Sequence, residues 1–247
     1  MVLSTFTTRI LGAVAAGALL CGLGAGTSAA VAQTAVVVKS SAKAFPVGSK
    51  VDDEDTITLA SGDSVTVLTK KGTRTMKGPG TFRVGDTPKS NRARFANLTR
   101  KRAASKAGTG AVRNAATDID RPLSPNLYYV DVARSGTVCL YDMEAVRLWR
   151  PYNEGIATYK VMAEGSDTPT LVTFDDGESV APLDPALLSV AQGPSYIIAG
   201  PDEEAEPATI TFAALRQEYR DANALAAALV ENGCMVQLEL MGDKLGG

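Results

Sequence analysis

The chain has 247 residues, of which 45% are hydrophobic and 21% are charged, and its formal net charge is -2. This composition is typical of a folded globular protein and argues against wholesale disorder. Histidine is absent, which excludes a Ser-His-Asp or Cys-His catalytic pair and any histidine-ligated metal site within the chain. Three cysteines are too few for a four-cysteine zinc site, and the 6% of aromatic residues does not indicate a base-stacking surface.

Residues 1–32 are predicted to be a signal peptide. Arg9 precedes an apolar run over 10–24, and small residues including Ala30 and Ala32 follow. Signal peptidase accepts small residues three and one positions before its cut, so cleavage after Ala32 is expected. The alternatives are an uncleaved membrane anchor, for which the run is short of the roughly 20 residues of a bilayer span, and a lipoprotein attached through Cys21.

Cys139 and Cys234 are the cysteines that remain after this cleavage. An exported protein meets an oxidising compartment, where an even pair of cysteines is usually joined. We therefore predict a disulfide between Cys139 and Cys234, with two buried free thiols as the alternative. Closing so long a loop would stabilise the fold by up to roughly 4 to 5 kcal/mol in the chain-entropy model.

Residues 33–86 are predicted to form a small β domain. Apolar and polar residues alternate over 56–59 and 64–67, and Gly62-Asp63 supplies a turn between these two strands. Gly78-Pro79-Gly80 marks a further turn, because proline fixes φ and glycine tolerates positive φ. Short strands at such spacing are typical of a meander or roll.

Residues 87–122 are predicted to be a basic, flexible linker with a transient helix near its start. The stretch 87–117 holds eight Lys or Arg and no acidic residue, whereas 151–247 holds sixteen acidic and four basic residues, a net charge of -12. Few large apolar residues interrupt the basic stretch, so little surface is available for burial.

The basic linker is also a candidate contact for an anionic partner. Its candidate contact residues are Arg92, Arg94, Arg100, Lys101 and Arg102. The partner surface is open between acidic lipid headgroups, nucleic acid, an acidic protein and the acidic half of this same chain. Export argues against cellular nucleic acid, and a solvated linker without a partner is the plainer interpretation.

Residues 123–247 are predicted to form a β-sandwich-like domain with one C-terminal helix. Asp221 is expected to cap that helix, and Asn232-Gly233 to end it. The fold class is therefore mainly β: a small roll, then a sandwich. The predicted strands are Leu127–Val132, Gly136–Leu140, Val146–Trp149, Ala157–Met162, Thr170–Phe174, Tyr196–Ala199, Ala208–Phe212 and Met235–Leu240.

A strand-turn-strand pattern in residues 58–68 carries a family resemblance. With Gly72-Thr73-Arg74 and Gly78-Pro79-Gly80 behind it, the segment of about residues 50–86 resembles the FecR-type domain of small periplasmic proteins of Proteobacteria. The resemblance implies an all-β roll without catalytic residues, in an envelope signalling or scaffolding protein. Iron-signalling members place an anti-sigma segment and a membrane helix before this domain, where this chain has the predicted signal peptide, so sigma-factor regulation is not implied.

Two further features have open interpretations. Trp149 lies between Arg147 and Arg150, and we interpret it as a core anchor rather than an exposed recognition patch. The acidic cluster 52–55 could hold a hard cation such as Ca²⁺, but it lacks the ligand spacing of a calcium loop and is interpreted as a solvated loop. The clusters 175–178 and 202–206 are interpreted as a hairpin turn and an exposed loop.

We interpret the chain as an exported, non-enzymatic binding or scaffold protein, periplasmic or secreted, that needs no cofactor. Its expected partner is another envelope protein; we expect no nucleic acid and no transmembrane segment after cleavage. A carboxylate-dependent, glycan-active hydrolase is the alternative, because catalysis by paired Asp and Glu needs no histidine. A cleft with two facing carboxylates would favour the enzyme, and a convex sandwich with solvated acids would favour the binding protein.

Processing of the N-terminus gives a direct test of export. Because Ala30 and Ala32 suit signal peptidase, the mature protein is expected to begin at Gln33. Intact-mass analysis of the exported form measures this start. A full-length product in the exported fraction would show that the segment is not a cleaved signal.

Overall fold

The structure, a computed structural model, describes residues 34–100 and 121–246. The predicted signal peptide, together with Lys101 and Arg102 of the predicted linker, lies outside these ranges. The described residues form fourteen strands in four sheets and three helices. The prediction of a mainly β fold is confirmed.

The N-terminal part contains a four-stranded antiparallel sheet and a two-stranded one. The larger has the order β2-β1-β4-β5, and the smaller pairs β3 with β6. The strands predicted over 56–59 and 64–67 are present as β3 and β4. The bounds are β1 Thr34–Ser40, β2 Lys50–Asp52, β3 Thr56–Leu59, β4 Ser64–Thr69, β5 Gly72–Lys77 and β6 Gly80–Arg83.

Residues 35–38 of β1 form a continuous apolar run rather than an alternating pattern, because both faces of the strand are covered. Val36 and Val38 point into one core, and Ala35 and Val37 point into another. A strand buried on both sides reads as a continuous apolar run. One face therefore needs a further layer, which the C-terminal helices supply.

The C-terminal part is sandwich-like, with two sheets around one core. The larger sheet has the order β11-β10-β13-β14-β8, in which only the β14–β8 pair is parallel, and the smaller has the order β12-β9-β7. The shared core includes Val130, Leu148, Phe174 and Ile210. The bounds are β7 Tyr129–Asp131, β8 Gly136–Leu140, β9 Arg147–Trp149, β10 Ala157–Ala163, β11 Thr170–Phe174, β12 Val180–Pro182, β13 Ser195–Ala199 and β14 Ala208–Ala214.

Three helices occur in the described part of the chain: α1 Arg92–Thr99, α2 Ala222–Glu231 and α3 Met235–Leu245. The predicted cap of α2 is confirmed, since the Asp221 carboxylate accepts a hydrogen bond from the Ala224 N–H at 2.8 Å. The predicted strand Met235–Leu240 is wrong, because these residues begin α3. The C-terminal part therefore carries two helices rather than one.

Helices α2 and α3 cover the open face of β1 and β4. Asn223 of α2 donates to the carbonyls of Thr34 and Leu68 at 3.1 and 2.7 Å, which fixes this helix over two strands. The largest core joins Val36 and Leu68 to the helices and to Leu127. One core thus contains residues from both predicted domains, 33–86 and 123–247.

The start of the predicted linker also contacts this fold. Lys89 and Thr73 exchange two backbone hydrogen bonds of 2.8 Å, which adds a short bridge beside β5. Phe95 and Leu98 of α1 are buried in the core that contains α2 and α3. Residues 89–99 are therefore packed against the rest of the chain.

The predicted disulfide between Cys139 and Cys234 is confirmed, with Cα atoms 5.9 Å apart. It joins β8 to the residue before α3. Gln237, one turn later, donates to the carbonyls of Leu127 and Cys139 at 2.9 Å and accepts from the Cys139 N–H at 2.6 Å. This buried side chain satisfies the edge of β8 as a neighbouring strand would.

Gly242 lets α3 pass directly over β1. A Cβ atom on Gly242 would lie 2.4 Å from the Val38 carbonyl oxygen. Alanine normally stabilises a helix interior relative to glycine by about 1 kcal/mol. At Gly242 we expect the opposite sign: Gly242→Ala should lower the free energy of unfolding by about 1 to 3 kcal/mol, because backbone must move to admit the methyl group.

Denaturant unfolding with the disulfide intact measures this change. Glu239→Ala in the same helix is the matched control, because Glu239 is exposed and pairs with the partly exposed Arg134, so its loss should cost no more than about 1 kcal/mol. A Gly242→Ala protein as stable as the wild type would contradict the close approach of α3 to β1.

Candidate functional site

A cleft of about 260 Å³ opens where the end of α1 meets β7 and the β8–β9 connection. Its walls combine tyrosine rings, two arginines and one carboxylate with a few apolar groups. The lining residues are Thr99, Arg100, Asn126, Tyr128, Tyr129, Leu140, Tyr141, Asp142, Ala145 and Arg147. Convergence of polar groups on an aromatic-lined concavity is typical of a small-ligand site.

Local backbone structure holds the two sides of the cleft together. Asn126 is buried; its side chain donates to the Arg100 carbonyl at 2.8 Å and accepts from the Tyr128 N–H at 2.9 Å. Tyr129 and Arg147 are register partners on the parallel strands β7 and β9. The end of α1, the entry to β7 and the start of β9 are therefore fixed relative to one another.

The Tyr128 ring lies at the junction of two cores. It packs against the core under α2 and α3 and against the sandwich core. The Tyr141 ring meets it edge-on, with centroids 4.9 Å apart and planes at 84°. This arrangement is favourable for aromatic pairs, and it fixes where the Tyr128 hydroxyl lies.

Two polar atoms of the cleft lining are buried without a hydrogen-bond partner among the described residues: Tyr128 Oη and Arg147 Nη1. Burial raises the pKa of Tyr128 well above that of an ordinary tyrosine, and the nearby Tyr141, Glu218 and Tyr219 add to the rise. The phenol is therefore protonated at neutral pH.

A second, smaller cavity has its polar groups already engaged. Its volume is about 40 Å³, enough for little more than water. Asp131 in its wall forms a bidentate ion pair with Arg121, whose guanidinium lies 5.7 Å from the Trp149 ring centroid. Each of these two cavities is lined by a single carboxylate, Asp131 here and Asp142 in the larger cleft.

The predicted anionic-contact residues are only partly brought together. Arg92 and Arg94 lie on α1 and are exposed, and Arg100 follows the helix and lines the cleft. Lys101 and Arg102 lie outside the described residues. Sequence reasoning missed Tyr128, although the Tyr128-Tyr129 pair in a predicted strand is a visible signal, and it considered Arg147 only as a neighbour of Trp149.

Trp149 is buried, so its interpretation as a core anchor is confirmed and the exposed recognition patch is wrong. Arg150 is also buried, and its guanidinium donates to four backbone carbonyls, those of Asn153, Gly155, Asp175 and Glu178. It stacks over the Phe174 ring at 5.2 Å. Arg150 therefore holds loops together and is not available to a ligand.

The acidic clusters within the described residues form turns. The Asp55 carboxylate accepts from the Asp52 N–H at 3.0 Å, and the Glu178 N–H donates to the Asp175 carbonyl at 3.0 Å. Residues 34–100 and 121–246 contain no group of three or more His, Cys, Asp or Glu placed to hold a metal ion.

Comparison with protein-family models, curated proteins and solved structures gives no match for this chain. The resemblance of residues 50–86 to the FecR-type domain therefore stays a prediction. None of the helices in the described part of the chain has both the length and the apolar character needed to cross a membrane.

The buried Tyr128 hydroxyl, which has no hydrogen-bond partner among the described residues, is expected to lower stability. Tyr128→Phe removes a buried, unpaired polar atom, so the variant should be as stable as the wild type at pH 7 or more stable by up to about 1 kcal/mol. Because the folded-state pKa of Tyr128 is raised, its protonated form favours the fold below pH 10. That contribution should fall as pH rises above the pKa near 10 of an unfolded tyrosine.

Denaturant unfolding at pH 7 and at several values above pH 10 compares the two proteins. Tyr152→Phe is the control, because Tyr152 is 60% exposed. A large loss of stability in Tyr128→Phe at pH 7 would mean that the hydroxyl has a structural partner.

Proposed function

We propose that this protein is an exported, non-enzymatic binding or scaffold protein of the bacterial envelope, with another envelope component bound at the Tyr128–Arg147 cleft. The observation that carries the proposal is a cleft whose lining combines three tyrosines with Arg100 and Arg147. Polar groups that converge on an aromatic-lined concavity favour the binding of a ligand.

The remaining support comes from the predicted location of the protein. A disulfide joins Cys139 to Cys234, as suits a protein of an oxidising compartment. The predicted signal peptide and the FecR-like pattern of residues 50–86 favour the periplasm or the extracellular space. Arg92 is exposed on α1, and Arg100, which follows that helix, lines the cleft.

The cleft is better suited to binding than to glycan hydrolysis. Hydrolysis by paired carboxylates places two of them on opposite sides of the scissile bond. Asp142 is the single carboxylate in the lining of the larger cleft, and Asp131 in the smaller cavity is paired with Arg121. The basic and aromatic lining favours recognition of a bound group over acid-base chemistry on it.

Site-specific photo-crosslinking tests the binding function. A photoreactive residue at Ala145, which is exposed on the cleft wall, should capture an envelope component when the protein is expressed in the periplasm. The product should be lost when Arg147→Gln is added. A photoreactive residue at Glu203, in an exposed loop outside the cleft, is the matched control and should not give the same product.

The same product from both positions, or one that survives Arg147→Gln in a correctly folded variant, would contradict a partner at this cleft. Release of reducing ends from envelope glycans, abolished by Asp142→Asn or Asp131→Asn, would favour the hydrolase instead.

A further inference from the structure

We propose that strand β11 is the docking edge for an extended, basic peptide segment of a partner protein, which joins the five-stranded sheet as a sixth strand. Main-chain hydrogen bonds along the edge hold the segment, and its Lys or Arg residues face the acidic connections at both ends of β11. This surface shares no residue with the lining of the cleft. The inference therefore goes beyond the proposed function and is tested separately from it.

The two edges of the five-stranded sheet have different surroundings. β8 is one edge, and the buried Gln237 side chain bonds to both backbone groups of Cys139 on it. β11 is the other edge and pairs only with β10. Among the described residues, the backbone of 170–174 makes no hydrogen bond beyond that pairing. Alternate residues of an antiparallel strand direct their N–H and C=O groups to opposite sides, so part of this backbone faces an open edge.

Strand β11 lacks the features that protect other sheet edges in this protein. β2 has three residues, two of them charged, and β12 has three residues that include Pro182. β5 is bridged by Lys89. β11 has five residues, Thr170–Phe174, without charge, glycine or proline. Because short length, charge and proline are what discourage edge pairing in natural sheets, β11 is suited to accept another strand.

The solvent-facing side chains of β11 offer an added strand further contacts. Leu171 is 58% exposed, and the Thr173 hydroxyl lies 2.9 Å from that of Thr158 on β10. Lys160, the register partner of Leu171, is the single charged residue of β10. A neighbouring strand would cover Leu171 with an apolar side chain while its backbone bonds to the edge.

The charges at the ends of β11 determine the kind of segment that fits. Residues 151–180 hold six acidic residues and one basic residue, Lys160. Asp167 precedes β11 and Asp175 follows it; both are exposed, and neither forms an ion pair among the described residues. Carboxylates at both ends of the edge attract a segment that carries Lys or Arg at both of its own ends.

A second copy of this chain is a poorer occupant of the edge. Two β11 strands related by a two-fold axis would run antiparallel. Asp167 of each copy would then approach Asp175 of the other, and like charges placed opposite each other across a strand pair are destabilising. The charges therefore favour a basic partner over self-association.

Binding of short peptides to the full, disulfide-bonded protein tests this inference. The probe is the fluorescent peptide KKTVTVTVKK with an amidated C-terminus. EETVTVTVEE is its match of opposite charge, and KKTVPVPVKK keeps the charge but lacks N–H groups needed for strand pairing. We expect the probe to bind at least about tenfold more tightly than either match, with Kd measured by fluorescence anisotropy. Amide hydrogen exchange within 170–174 should slow when the probe binds, because outward N–H groups become bonded.

Charge variants separate this edge from general electrostatic attraction. Asp167→Asn combined with Asp175→Asn should weaken binding of the basic probe at least about threefold and reduce its salt dependence. Glu144→Gln combined with Glu218→Gln is the matched control, because it removes the same charge from exposed positions that follow β8 and β14, and it should leave Kd unchanged. Leu171→Lys places a charge beside the edge and should also weaken the probe at least about threefold.

Equal binding of the basic and acidic peptides, or of the basic probe and its proline-containing match, would overturn the proposal. Equal losses in the two double variants would do so as well, because the attraction would then not lie at β11. Sedimentation equilibrium of the free protein tests the second copy, and a monomer is expected at every salt concentration. A dimer that salt strengthens and Leu171→Lys breaks would make this chain the occupant and overturn the basic partner.

Discussion

The attachment of α3 to β8 is the constraint on which the arrangement of both sheets depends. The Cys139–Cys234 disulfide fixes the residue before the helix, and Gln237 then satisfies both backbone groups of Cys139. From that point α3 runs on to cross β1 at Gly242, where helix and strand backbones nearly touch. One helix of eleven residues thus sets the sandwich and the N-terminal sheet on either side of a shared core.

This attachment joins residues far apart in the chain, and α3 is also the element that the sequence pattern predicted wrongly. Strands such as β3, β8 and β11 follow from alternation and nearby turns, and the Asp221 cap follows from a local hydrogen bond. Met235–Leu240 alternates as well, because Val236, Leu238 and Leu240 are spaced by two. Its helical state depends on burying Leu238, Met241 and Leu245 together against partners far away in the chain, which no local pattern expresses.

The cleft shows the same division between local and distant causes. Charge counting identifies Arg100, because an excess of cations is visible along the sequence. Tyr128 and Arg147 become site residues only when Asn126 ties the end of α1 to the entry of β7, and when β9 pairs beside it. The burial and the contacts of a polar side chain depend on all the elements packed around it, so composition does not predict them.

Arg147 begins β9 and Arg150 directly follows it, and the two arginines have different surroundings. Arg150 is buried with its guanidinium satisfied by four carbonyls and stacked on Phe174, so its charge holds loops in place. Arg147, three residues earlier, is only partly buried and lines the cleft. One strand therefore places a first arginine at a concave surface and is followed at once by a second that is used for packing.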